Sequence, residues 1–180
     1  MVNKNNILQN RITKESIFSA LMILMEQKNF KEISITEISK KAGVSRMAFY
    51  RNYNLMEDII TNYLDEFFEE YSKQVFSSEK IDNYESVCLY FAYFRKHERL
   101  ITNIINSNLT NLILERCVEF FHLISKDIVC KKSYPPEKEI YSIKFIAGGL
   151  YMVLIEWAKG GMKESDEDIA KIVVYDLMKE

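Results

Sequence analysis

Between Lys40 and Arg51 the chain carries four cations and no anion, together with a serine, a tyrosine and a methionine. Cations beside hydroxyl and phenol donors are suited to phosphate oxygens, and a helix that displays them can also offer side chains to base edges. The overall charge of −2 conceals this, because residues 1–60 sum to +3 and residues 61–180 to −5. The basic end is therefore the candidate for a polyanionic partner. Other chemistries find little material. His97 and His122 are the only histidines and stand apart, which argues against a metal site or a histidine-based triad. There is no glycine-rich phosphate loop and no nucleophile elbow. Glu69-Glu70 and Asp166-Glu167-Asp168 are adjacent acids rather than pairs one helical turn apart, and read as solvated faces or caps. The expectation is no enzyme, with no catalytic residue, no cofactor and no metal.

The elements that must position the cations are helical. Five glycines and two prolines are few for 180 residues, and the apolar residues recur at helical spacing, so the fold is expected to be all-α. A first helix is expected over 13–28, with Ile17, Leu21, Leu24 and Met25 on one face, a left-handed Asn29 at its end and Phe30 as anchor. Ser34-Ile35-Thr36-Glu37 has the form of a capping box and opens a short helix through Ala42. Gly43 ends it, and Ser45 caps a second short helix from Arg46 to Asn52. Two short helices joined by a turn are what a major-groove reader needs. Ile38, Ala42, Val44, Phe49 and Tyr53 can form the core of this unit, which leaves Arg46, Met47, Ala48, Tyr50, Arg51 and Asn52 outward. A solvated amphipathic helix would show the same pattern.

Asn54 to Glu57 repeats the capping logic and starts a long helix whose stripe is Ile60, Leu64, Phe67, Tyr71 and Val75. A polar loop from Ser77 to Asp82 follows, then helices over 83–96, 98–106 and 108–130. Pro135-Pro136-Glu137 opens a helix to Lys159, Gly160-Gly161 punctuates it, and Ser165 caps a last helix carrying Ile169, Ile172, Val173 and Leu177. Cys88, Cys117 and Cys130 lie far apart in apolar stretches and read as buried, reduced thiols of a cytoplasmic protein. The N-terminus has no apolar signal, and the run from Phe145 to Ile155 is too short to span a bilayer, so no membrane partner is expected.

The stretch Phe30 to Leu64 resembles the DNA-binding domain of the TetR family of bacterial regulators. Its most specific part, ISKKAGVSRMAFYRNY, follows that family's I-A-x-x-A-G-V-S-x-x-x-F/L-Y-x-x-F pattern nearly throughout. AGGL at 147–150, Trp157, Gly160-Gly161 and the following SDED resemble the closing two helices of one TetR subgroup. The resemblance implies nine or ten helices, with an N-terminal three-helix helix-turn-helix domain over 1–55 and a helical effector-binding and dimerisation domain over 56–180. It implies that Arg46, Met47 and Ala48 read bases, that Tyr50 touches a phosphate, and that Ser45, Arg51 and Asn52 flank it. Ser34 and Thr36 would open the helix that faces the DNA backbone. Three positions depart from the family's habit: Thr36 for a basic residue, Asn52 for a histidine and Met56 for a lysine. Lys40, Lys41, Arg11 and Lys14 are the available substitutes. With about two to four phosphates neutralised per subunit, log K against log salt is expected to slope at roughly −4 to −7 for a dimer.

In the C-terminal part, Phe67, Tyr71, Phe91, Phe94, Phe121 and Tyr151 are candidates for an apolar effector pocket, although aromatic residues at helical spacing equally make plain core. Gly148 and Gly149 inside a helix suggest a close helix–helix approach. The expected homodimer surface is accordingly 137–159 with 166–179, including Tyr141, Phe145, Gly148, Gly149, Met152, Trp157, Val173 and Leu177. The leading expectation is a dimeric, ligand-responsive repressor of a palindromic double-stranded DNA operator, with a small apolar or aromatic effector. The alternative is a TetR-like regulator or coactivator controlled by a partner protein; activation in place of repression stays open.

Overall fold

The computed structural model describes residues 4–77, 82–124 and 136–178. Among these the chain is all-α, with nine α-helices: α1 Lys4–Met25, α2 Ile35–Ala42, α3 Arg46–Asn52, α4 Glu57–Ser77, α5 Asn83–Lys96, α6 Glu98–Asn106, α7 Thr110–Ile124, α8 Pro136–Lys159 and α9 Asp166–Lys171. A 3₁₀ turn at Phe30–Glu32 follows α1, and α9 continues as a π-helical turn over Ile172–Leu177. The chain separates into two compact units, Met1–Leu64 and Asp65–Glu180, so the boundary falls inside α4.

The first unit is built on a short-range logic. Ile17, Leu21, Leu24 and Met25 of α1 are buried, as are Ile38 of α2, Phe49 of α3, and Ile60 and Leu64 of α4. Phe18 stacks flat on Tyr63, with ring centroids 3.8 Å apart. Helix α1 starts at Lys4, nine residues earlier than expected, because its first turns need no buried face. Ile7, Leu8 and Ile12 stay exposed there, while Arg11 Nε pairs with Glu15 at 2.9 Å one turn on. Asn29 does not take the left-handed form. Its backbone is extended (φ −61°, ψ 141°) and its side chain accepts from the Lys31 N–H, capping the 3₁₀ turn that buries Phe30.

The second unit has an aromatic centre. Phe67, Tyr71, Tyr90, Phe91, Phe94, Phe120 and Phe121 are all buried. Helices α5 and α6 keep their expected limits, and Asp82 and Glu85 form a capping box at the start of α5. Helix α7 begins at Thr110, later than expected, since Asn108 adopts φ +56°. The expected helix beyond Ile124, the thiol of Cys130 and the loop positions 78–81 lie outside the described residues. Helix α8 is the one described helix long and apolar enough, by length and composition, to cross a membrane, over a longer span than the apolar run alone. Here it packs on α6 and α7, burying Ile143, Ala147, Leu150 and Leu154.

Candidate nucleic-acid interface

The α2–α3 unit is held by local hydrogen bonds. Ser34 Oγ accepts from the Glu37 N–H at 3.3 Å, and the Ser34 N–H donates to Glu37 Oε2 at 3.0 Å. The Ser34 hydroxyl also donates to that carboxylate at 2.8 Å. Lys28 Nζ donates to the other Glu37 oxygen at 2.6 Å. These partners, Lys28 foremost and then Ser34, hold the Glu37 carboxyl down at about pKa 2. Both Ser34 donors are thus engaged by Glu37, and an anion at this helix end would meet the neighbouring Thr36 rather than Ser34. Gly43 turns the chain at φ +67°, a left-handed conformation in which glycine has no Cβ to strain. Ser45 Oγ then accepts from the Ala48 N–H at 3.0 Å and starts α3, leaving its hydroxyl hydrogen to donate outward.

Within α3 the side chains divide sharply. Phe49 is fully buried and Tyr53, just beyond the helix, nearly so. Ala42 and Val44 are half-buried. Arg46, Met47, Tyr50 and Arg51 are exposed, Met47 at 72%, while Ala48 is half-buried. Asn52 is half-buried because one amide N–H donates to Ala48 O at 2.8 Å, one turn back. Lys40 and Lys41 are exposed on α2, and Thr36 with them. Met56 is half-buried; Lys14 is half-buried on α1. The α2–α3 unit thus exposes Thr36, Lys40, Lys41, Ser45, Arg46, Tyr50 and Arg51, cations and hydroxyl donors suited to a phosphate backbone, together with the apolar Met47.

The matching half of the chain is the C-terminal one. Residues 82–178 match the family model of a TetR-type transcriptional regulator C-terminal region. The chain belongs to the TetR family of transcriptional regulators. This TetR-family chain has the fold of a DNA-binding regulator. No curated protein matches its sequence. Solved structures share the fold. The protein Lin0861 from Listeria innocua superimposes with a TM-score of 0.78 at 17% identity, over 95% of this chain and 92% of that one. A TetR transcriptional regulator from Streptococcus agalactiae gives 0.65 at 18% identity, over 97% of each chain. The regulator FadR from Bacillus subtilis in complex with stearoyl-CoA gives 0.56 at 14% identity, over 91% of this chain and 98% of that one.

In the TetR-type C-terminal region five of the six candidate effector residues, Phe67, Tyr71, Phe91, Phe94 and Phe121, lie in one connected set of ring contacts, joined through Tyr71 and Tyr90 at 6.4 Å. Phe67 meets Phe94 at 4.7 Å, Phe94 meets Tyr90 at 4.7 Å, and Tyr90 meets Phe91 at 5.3 Å. Tyr71 meets Phe120 at 5.2 Å, and Phe120 meets Phe121 at 5.6 Å. Tyr151 is half-buried on α8. Burial pushes the Cys117 thiol beside Tyr90 up to about 12.

Of the candidate interface residues, Tyr141, Phe145, Met152 and Leu177 are exposed, Phe145 at 81% and Tyr141 at 74%. Gly149 is exposed and Gly148 half-buried, and a Cβ built on either meets no atom within 4 Å. No described residue of the chain approaches either glycine closely enough to need the missing Cβ. Trp157 and Val173 turn inward instead. Trp157 meets Phe91 at 5.3 Å and lies under the Arg95 guanidinium at 4.7 Å. Arg95 has no local sequence signal, since its partners lie 67 to 71 residues away. Its Nε donates to Asp166 Oδ1 at 2.7 Å, and its two other nitrogens donate to Met162 O at 2.9 Å and Glu164 O at 2.5 Å. It ties the turn between α8 and α9 to α5.

Proposed function

We propose that two copies of this chain bind a palindromic operator and act as an effector-responsive repressor. DNA binding is assigned to residues 1–55, and effector binding and dimerisation to 56–180. The observation that carries the reading is the outward face of α3, where Arg46, Met47, Tyr50 and Arg51 stand exposed opposite the buried Phe49. Arg46, Met47 and Ala48 face base edges; Ser45, Tyr50, Arg51, Asn52 and Thr36 serve the backbone, with Ser34 holding the helix end through Glu37. The exposed apolar residues Tyr141, Phe145, Met152 and Leu177, with Gly148 and Gly149 between them on α8, support a surface that a second copy covers. The regulator works in the cytoplasm and catalyses no reaction.

An apolar or aromatic effector fits the ring cluster around Phe67, Tyr71, Phe91, Phe94, Phe121 and Tyr151. All of these rings but Tyr151 belong to one network of contacts, so the effector must part them, and that displacement is what would alter the spacing of the two DNA heads. FadR from Bacillus subtilis, a regulator of the same fold, is in complex with stearoyl-CoA, which supports an apolar effector here.

The decisive experiment is selection of bound sequences from random duplex DNA. The expected product is an inverted repeat whose half-sites lie about one helical turn, near 34 Å, apart. Convergence on no sequence, with binding indifferent to salt, overturns the reading. Sedimentation of the free protein checks the dimer: Phe145→Asp should give a monomer that binds the operator more weakly, and a wild type monomeric at micromolar concentration refutes it.

A further inference from the structure

Helix α3 has seven residues, and Phe49 is its one buried side chain. At 100° per residue, the direction opposite Phe49 falls between Met47 and Arg51. A recognition helix presents its N-terminal residues to base edges, so of these two Met47 reaches further into the groove. The one amide on α3, Asn52, sits at the C-terminal end with an N–H already given to Ala48 O. The first turn therefore offers base edges a single guanidinium, from Arg46, and two groups with no N–H or O–H: the Met47 thioether and the Ala48 methyl.

The chemistry of the major groove then narrows what those two groups can meet. A thioether is at best a weak acceptor, so the amino groups of adenine and cytosine would exchange a good hydrogen bond to water for a poor one. The acceptor edges of guanine and adenine gain nothing from it. The one apolar feature on that edge of the four bases is the 5-methyl group of thymine. We infer that Met47, with the Ala48 methyl beside it, packs on the 5-methyl group of a thymine in each half-site and makes that base a specificity-determining position. The inference rests on the operator reading above, with Arg46 and the phosphate contacts acting independently of it.

Deoxyuridine in place of thymine removes this methyl and leaves every hydrogen-bonding group in place. With the selected operator, each thymine is replaced in turn, symmetrically in both half-sites, and affinity is measured by fluorescence anisotropy. Loss of one buried methyl is expected to weaken binding about fourfold per half-site, about fifteenfold for the symmetric pair. Wild type should show that loss at one position. Met47→Ala, exposed and expected to keep the wild-type thermal midpoint, should bind more weakly and lose the sensitivity to deoxyuridine there. A flat scan on a converged operator overturns the methyl reading and leaves the operator standing. A penalty that persists unchanged in Met47→Ala also overturns it, because another group then reads the methyl. Failure of the selection to converge removes both readings together.

Discussion

Replacing Arg95 tests whether the turn joining α8 to α9 is held by one side chain. The guanidinium makes three hydrogen bonds and covers Trp157. The pair with Asp166 is partly exposed, so after solvent screening it is worth about 1 kcal/mol. The two bonds to main-chain carbonyls contribute about 1 kcal/mol each. The contact with the indole adds about 0.5 kcal/mol. Truncation lets water reach the vacated groups, which offsets part of this sum, so Arg95→Ala should cost about 2–3 kcal/mol. Arg95→Lys keeps the charge and loses the planar fork, and should recover less than half. Trp157 is the only tryptophan, so urea unfolding followed by its emission reports on the perturbed site itself. At a slope of about 2 kcal/mol/M the midpoint should fall by about 1–1.5 M for alanine. A double-mutant cycle with Asp166→Asn should give a coupling of about 0.5 kcal/mol or more. A midpoint shift below about 0.3 M, or full recovery by lysine, would refute the latch.

Gly43→Ala meets no atom within 4 Å but must hold φ +67°, so it should destabilise the N-terminal unit by about 1–2 kcal/mol, with Gly43→Asn milder; circular dichroism during denaturation measures both. Glu37 has a folded pKa of about 2 against an ordinary 4.5. Between those values the unfolded chain binds more protons, so its contribution is whole above about pH 4.5 and is lost as pH falls toward 2. Acid denaturation of Glu37→Gln should lack that dependence, and an unchanged acid limb would count against the Lys28–Glu37–Ser34 cluster. Arg51→Ala should reduce the salt slope of operator binding by about 2 per dimer without altering the preferred sequence, whereas a changed preference would reassign Arg51 to base reading.

What was legible in the sequence follows the range of the interactions that decide each feature. The Ser34–Glu37 box, the turn at Gly43, the Ser45 cap and the limits of α3, α5 and α6 depend on partners within four residues. The same holds for the stripe Ile60, Leu64, Phe67, Tyr71 and Val75, all buried as their spacing requires. The early start of α1 was hidden, because apolar periodicity detects only a helix with a buried face, and Ile7, Leu8 and Ile12 have none. Its one local signal was the spacing of Arg11 and Glu15.

Tertiary structure decided which apolar face meets which neighbour. Trp157 and Leu177 are both apolar residues on closing helices, yet one lies under Arg95 and the other faces outward. Near Leu177 the backbone widens: the Met178 N–H donates to Val173 O at 2.9 Å, five residues back. That rotates the stripe so that Val173 and Val174 are buried while Ile172 and Leu177 are exposed. By itself the sequence determined an all-α chain with a basic pair of short, capped helices over Ile35–Asn52, since caps, turns and charge act over one helical turn. The inward Trp157, the Arg95 latch and the packing of the aromatic rings depended on residues scores of positions apart, and only closure of the fold brings such groups within a few ångströms.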